Sequence, residues 1–84
     1  MQVARLIRTI RITHNLSQQD LAEKLGVTRN HISYLESGQR LPSLKFLSTL
    51  ADEFDYNIFW LKRVWVADKV SQMEENLKRL AELD

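Results

Sequence analysis

Apolar positions along the 84-residue chain recur at helical spacing. Val3, Leu6, Ile7, Ile10 and His14 mark one face of a first helix over residues ~2–14. Asn15 follows, at a turn where a residue tolerant of positive φ is needed. Ser17 and Asp20 have the spacing of a capping box, with Asp in place of the commoner Glu. Leu21, Ala22 and Leu25 then form the buried stripe of a short second helix that Gly26 ends. Thr28 caps a third helix over residues ~29–36, which stops near Gly38. Pro42 and Ser43 open a fourth, with Leu44, Leu47, Leu50, Ala51 and Phe54 turned inward. Asp55–Asn57 reads as a turn, with Asn57 as the next N-cap. Ile58–Leu83 contains no Gly or Pro, which predicts one long helix, or two with a bend near Ala67. With two glycines and one proline in all, long helices are expected and strands are not.

The second and third helices carry the most specific signal. A tight crossing of two short helices needs a small residue where they touch, and Ala22 supplies it. The turn needs positive φ, which Gly26 accepts without a Cβ penalty. The following helix needs an aliphatic anchor on its inner face, here Ile32. Spacings of four and six residues, with Leu21, Leu25, Val27 and Leu35 around them, predict a helix-turn-helix.

The third helix divides cleanly by angle. At about 100° per residue, with Arg29 at zero, Ser33, Ser37, Asn30 and Tyr34 fall between about 40° and 140°. The opposite arc holds His31, Leu35, Thr28, Ile32 and Glu36. Arg pairs with guanine and Asn with adenine through two hydrogen bonds in the major groove, while Ser bonds to bases or phosphate. Arg29 also stands at a helix N-terminus, where the helix dipole slightly disfavours a cation, so it points to a partner outside the chain, such as a phosphate or a guanine. A solvated face is the ordinary explanation for such a polar arc; the turn signature before it favours DNA contact instead.

The stretch LSQQDLAEKLGVTRNHISYLESGQRLPSLKFLSTLADEF, within Leu6 to about Leu61, resembles the lambda-repressor/Cro-type helix-turn-helix family. The resemblance implies an all-α, five-helix lambda-repressor-like DNA-binding domain, to which this chain adds a C-terminal helical extension. It implies base reading by Arg29, Asn30, Ser33 and Tyr34, and phosphate contact by Gln18, Thr28, Ser37, Gln39, Arg40, Ser43 and Lys45. It also implies an ion pair between Arg11 and Glu36, whose position at the edges of apolar faces favours a structural role. Asn15 and Asp55 stand where the family often has Gly, and both tolerate positive φ. His31 is less usual there, and its role stays open between packed edge residue and DNA contact.

Net charge, only +1, is uninformative until it is divided along the chain. Residues 1–50 hold seven Lys/Arg against three Asp/Glu, a balance of +4, and residues 51–84 hold five against eight, a balance of −3. The first half thus suits a polyanion and the second a protein or solvent. Without cysteine there are neither disulfides nor thiolate metal ligands, and two histidines, His14 and His31, are too few for a zinc site without several carboxylate ligands beside them, so no cofactor or metal is expected. No run approaches a membrane span, and the expected location is the cytoplasm, on the nucleoid through DNA.

The division expected is a DNA-binding domain over residues 1–66 and a C-terminal helix over 67–84 that dimerises. Five of the seven aromatic residues lie between Phe54 and Trp65, more apolar surface than so small a domain hides. Phe54, Ile58 and Leu61 close the core; Phe59, Trp60, Trp65 and Val66 remain for an interface. Beyond them Val70, Met73, Leu77 and Leu80 continue a short heptad seam, with Lys69 and Glu74 at flanking positions that attract across a parallel pair. The alternative is that this helix folds back on its own domain. A two-fold dimer would place two recognition helices about one DNA turn apart, on a palindromic operator.

Catalysis is disfavoured, since no nucleophile-elbow, phosphate-loop or metal spacing occurs. The expected function is a sequence-specific transcriptional regulator of double-stranded DNA, a homodimeric repressor. The rival is an antitoxin whose acidic tail, Asp68 to Asp84, engages a toxin. A third reading is an antagonist that forms mixed dimers with a related repressor.

Overall fold

The computed structural model describes residues 1–83, so Asp84, the last residue of the expected extension, lies outside the described residues. Five helices follow one another: α1 Gln2–Thr13, α2 Gln18–Leu25, α3 Arg29–Glu36, α4 Leu44–Phe54 and α5 Ile58–Ala81. Their ends are set by local chemistry that is visible in the sequence. At Ser17 both halves of the capping box form: the hydroxyl accepts from the Asp20 amide at 3.0 Å and the Asp20 carboxylate accepts from the Ser17 amide at 3.1 Å. Thr28 accepts from the His31 amide, Ser43 from Phe46, and Asn57 from Phe59. Gly26 ends α2 at φ 69°, while Asn15 and Asp55 adopt φ 56° and 58° in the two turns expected to need positive φ.

Ile7, Ile10, Leu21, Ala22, Leu25, Ile32, Leu35, Leu50, Ala51 and Leu61 form one core to which every helix contributes. Burying each large aliphatic side chain contributes about 1.5–3 kcal/mol. Phe54 and Ile58 pack against this cluster while partly exposed. The α4 stripe departs from expectation at one position. Leu44 is exposed and Phe46 is buried in its place. A side chain in the first turn leans back past the helix end, beyond the cover of neighbouring elements, whereas Phe46 turns under α3 with its ring against His31. His14, assigned to the inner face of α1, is exposed at its end; its ring packs on Phe54 at 4.5 Å.

α5 is a single uninterrupted helix, with no bend at Ala67 that breaks its assignment. Its first half buries Leu61, and the buried side continues as far as Asp68. The second half carries its apolar residues into solvent. At 24 residues it spans about 36 Å, which accounts for the 48 Å long axis of the molecule.

Candidate nucleic-acid interface

α3 presents Arg29, Asn30, Ser33 and Tyr34 to solvent, while Ile32 and Leu35 are buried beneath it. The division expected from helical angle is therefore realised: the base-reading candidates share the outer face, and the anchors hold the helix from behind. The helix begins free of acidic residues, so no internal partner neutralises Arg29 in the first turn. Helix N-termini offer unpaired amides and a partial positive charge to anions, and the Thr28 cap satisfies only the His31 amide.

Two shallow grooves show which phosphate-binding candidates join this face. One is lined by Tyr34, Arg40, Pro42 and Ser43 together with His31, the other by Ser43, Lys45, Phe46 and His31. Residues from α3, the loop after it and the start of α4 thus share one surface. His31 sits between the grooves, edge-on to Phe46 at 5.9 Å and itself exposed. It is therefore packed on one side and open on the other. Gln39 is exposed in the same loop.

The hydroxyl candidates differ in what they have left to offer. Thr28 and Ser43 use their oxygens as acceptors for helix caps, which leaves the O–H proton to donate to a phosphate. Ser37 donates its hydroxyl to the Tyr34 carbonyl at 2.6 Å, so in this arrangement it has no proton for a phosphate.

Behind the face, Arg11 and Glu36 form a two-pronged pair. Nε reaches Oε2 at 2.8 Å and Nη2 reaches Oε1 at 3.0 Å, while Nη1 donates to the Leu16 carbonyl. Both side chains are nearly buried, at 14% and 5% exposure. The hydrogen bonds it donates to Glu36 hold the Arg11 guanidinium above its ordinary pKa, so the charge persists at any working pH. Gln18 adds a long contact, Nε2 to Glu36 Oε1 at 3.5 Å, tying the start of α2 to the end of α3. Arg11 is thus spent on structure, and Lys24 faces Glu53 at 4.0 Å; of the remaining cations, Arg29 lies on α3, Arg40 in the loop after it and Lys45 at the start of α4, which makes these three the cations of the candidate face.

On α5, Phe59, Trp60, Val66, Val70, Met73, Leu77 and Leu80 are 46–72% exposed. Trp65, assigned to the same patch, is a correction. It is half-buried against its own domain, and its indole N–H donates to the Pro42 carbonyl at 2.8 Å. A large ring at the inward edge of α5 finds both apolar cover and a carbonyl there, which satisfies it inside the protomer. Asp68 belongs in sequence to the acidic tail. It is buried, with its carboxylate on the first amides of α1. No local spacing announces a contact between residues more than sixty apart; its one signal is an acidic residue on the inward stripe of Leu61 and Trp65.

Among the described residues, no helix is long and apolar enough to cross a membrane, and no cluster of three or more metal-ligating side chains occurs. The helix-turn-helix family profile matches residues 7–61. An uncharacterised HTH-type transcriptional regulator of Methanocaldococcus jannaschii is 44% identical over 52 residues, 62% of this chain and 79% of the relative. The cryptic phage CTXphi transcriptional repressor RstR of Vibrio cholerae is 26% identical across the whole chain and 75% of its own length. The ImmF control region 10 kDa protein of Bacillus phage phi105 is 33% identical over 66 residues, 76% of this chain and 73% of that protein. The capping box, the Gly26 turn, the two-faced α3 and a profile match over most of the chain agree: this protein belongs to the helix-turn-helix family of lambda-repressor/Cro type, the DNA-binding transcriptional regulators.

Proposed function

We propose that the chain is a sequence-specific repressor that binds a palindromic operator as a homodimer and acts by occupying DNA that overlaps a promoter. The observation that carries this reading is the exposed row of Arg29, Asn30, Ser33 and Tyr34 on a helix anchored by Ile32 and Leu35. Arg29 and Asn30 lie in the first turn, the part of a recognition helix that meets base edges. Arg40, Lys45, Thr28, Ser43, Gln18 and Gln39 would hold the backbone on either side. Such occupancy is regulation rather than catalysis, and it places the protein with the chromosome in the cytoplasm.

Dimerisation rests on the two faces of α5. Leu61, Trp65, Asp68 and Gln72 turn inward, while Val66, Val70, Met73 and Leu77 lie roughly opposite and stay exposed. A second apolar face on a helix already packed on its domain fits a second copy of that helix. The similarity to a phage repressor across the full chain, extension included, favours the repressor over an antitoxin. In the antitoxin reading the same seam would instead receive a toxin.

Selection of bound sites from random duplex DNA at physiological salt tests the proposal. An enriched palindrome, with half-sites about one helical turn apart, is the expected result. Retention of DNA without enrichment, or a chain whose α5 is unfolded until a toxin is added, would overturn it.

A further inference from the structure

Three segments distant in sequence meet behind the recognition surface. The Gln2 and Val3 amides, which open α1, donate to the two carboxylate oxygens of Asp68 at 3.1 and 2.7 Å. Trp65 donates its indole N–H to the carbonyl of Pro42, in the loop that carries Gln39 and Arg40. Gly38, at the start of that loop, backs onto α1, where an added Cβ would lie 3.6 Å from Met1 and 3.8 Å from Ala4. The start of α1, the loop after α3 and the middle of α5 are therefore one joint.

Asp68 is an unusual residue to find there. It is charged yet buried, and Met1 supplies no side-chain cap to α1. The cap comes instead from α5. A carboxylate accepting two amide hydrogen bonds at a helix N-terminus is favoured by both charge assistance and the helix dipole. Among the described residues past Asp68, Gln72 alone is half-buried, so residues 65–68 are the last fixed points before α5 runs free. Because α5 has no break, the direction set at this joint is the direction of the whole arm.

We propose that Trp65 and Asp68 are positioning residues that fix the angle at which α5 leaves the domain, and so set the spacing and helical phase of the two DNA half-sites. This rests on the dimer reading above. Changing the spacing by two base pairs turns one half-site by about 70° around the duplex. A rigidly held arm cannot follow that rotation, whereas a loosened one can. Asp68→Asn replaces one acceptor oxygen with an NH2 group facing an amide N–H. Trp65→Phe keeps an aromatic ring and removes the donor to Pro42.

The test uses the full chain, with operators whose half-site separation is the selected one or is changed by two base pairs. Sedimentation reads the oligomeric state, and a single half-site serves as control. Both variants should remain dimers and hold the single half-site within about twofold of wild type, while preference for the selected spacing falls by about tenfold. An unchanged spacing preference in both variants would overturn the proposal, as would a loss that merely tracks half-site affinity. If Asp68→Asn fails to fold, Trp65→Phe decides alone. A wild-type dimer with no spacing preference would sink the joint's role and leave the dimer standing; a wild-type monomer would sink both.

Discussion

Gly38 sits at φ 77° at the end of the recognition helix, and space around it is not what restricts it. A Cβ would meet Met1 and Ala4 at ordinary contact distances, so the constraint is the left-handed backbone itself. Gly38→Ala should cost about 1–2 kcal/mol, and Gly38→Asn less, in urea denaturation; equal stability of all three would show that the loop relaxes. Arg11 and Glu36 make a stronger case. Removing one leaves the other nearly buried and unpaired, so Arg11→Met or Glu36→Leu should cost about 3 kcal/mol, with much of it regained in the double variant that carries both. Additive losses in that cycle would contradict the pairing. Asp20 adds a pH signature. The Ser17 amide, then its hydroxyl, holds the Asp20 carboxyl below its ordinary 3.8. A lowered folded pKa means stability present above the ordinary value and lost as pH falls through the lowered one. The thermal midpoint gap between wild type and Asp20→Asn should therefore be widest near neutrality and close as pH falls below the ordinary carboxyl value and through the lowered one.

Helices carry the next level, and here the sequence can be judged as a guide. The bounds of α2 and α3 were legible because capping residues and Gly26 act locally, within one turn of the chain. The face of α3 was legible too, since a helix of eight residues has only one way to bury Ile32 and Leu35. What could not be read were contacts between distant segments. Leu44 and Phe46 exchanged roles because cover at a helix end depends on its neighbours, and Trp65 found its partner 23 residues back at Pro42. Asp68, 65 residues from Val3, is the same failure in its strongest form. The two-faced α5 also yields a prediction. Leu61→Ala removes a fully buried side chain and should cost about 2–5 kcal/mol. Leu77→Glu changes an exposed seam position and should leave the fold of the DNA-binding domain intact while abolishing dimers in sedimentation. Dimers that survive Leu77→Glu with Met73→Glu would contradict the seam.

The whole molecule joins the proposed recognition face, on α2, α3 and the start of α4, to an arm made by α5. Its charge follows that division, with Arg29, Arg40 and Lys45 on the face and the acidic excess after residue 50. Net charge of +1 is too small to draw the chain to DNA indiscriminately, so attraction depends on the local cluster. The central claim is that the α3 face reads base sequence while the flanking groups only hold the backbone. Comparing the full site-preference profiles of wild type, Arg29→Ala and Lys45→Ala tests it most directly. Arg29→Ala should relax preference at one position in each half-site, at a cost of about 1–3 kcal/mol on the best site, whereas Lys45→Ala should weaken all sites alike and reduce the salt slope by about one. An Arg29→Ala profile unchanged in shape and lowered equally everywhere would contradict it.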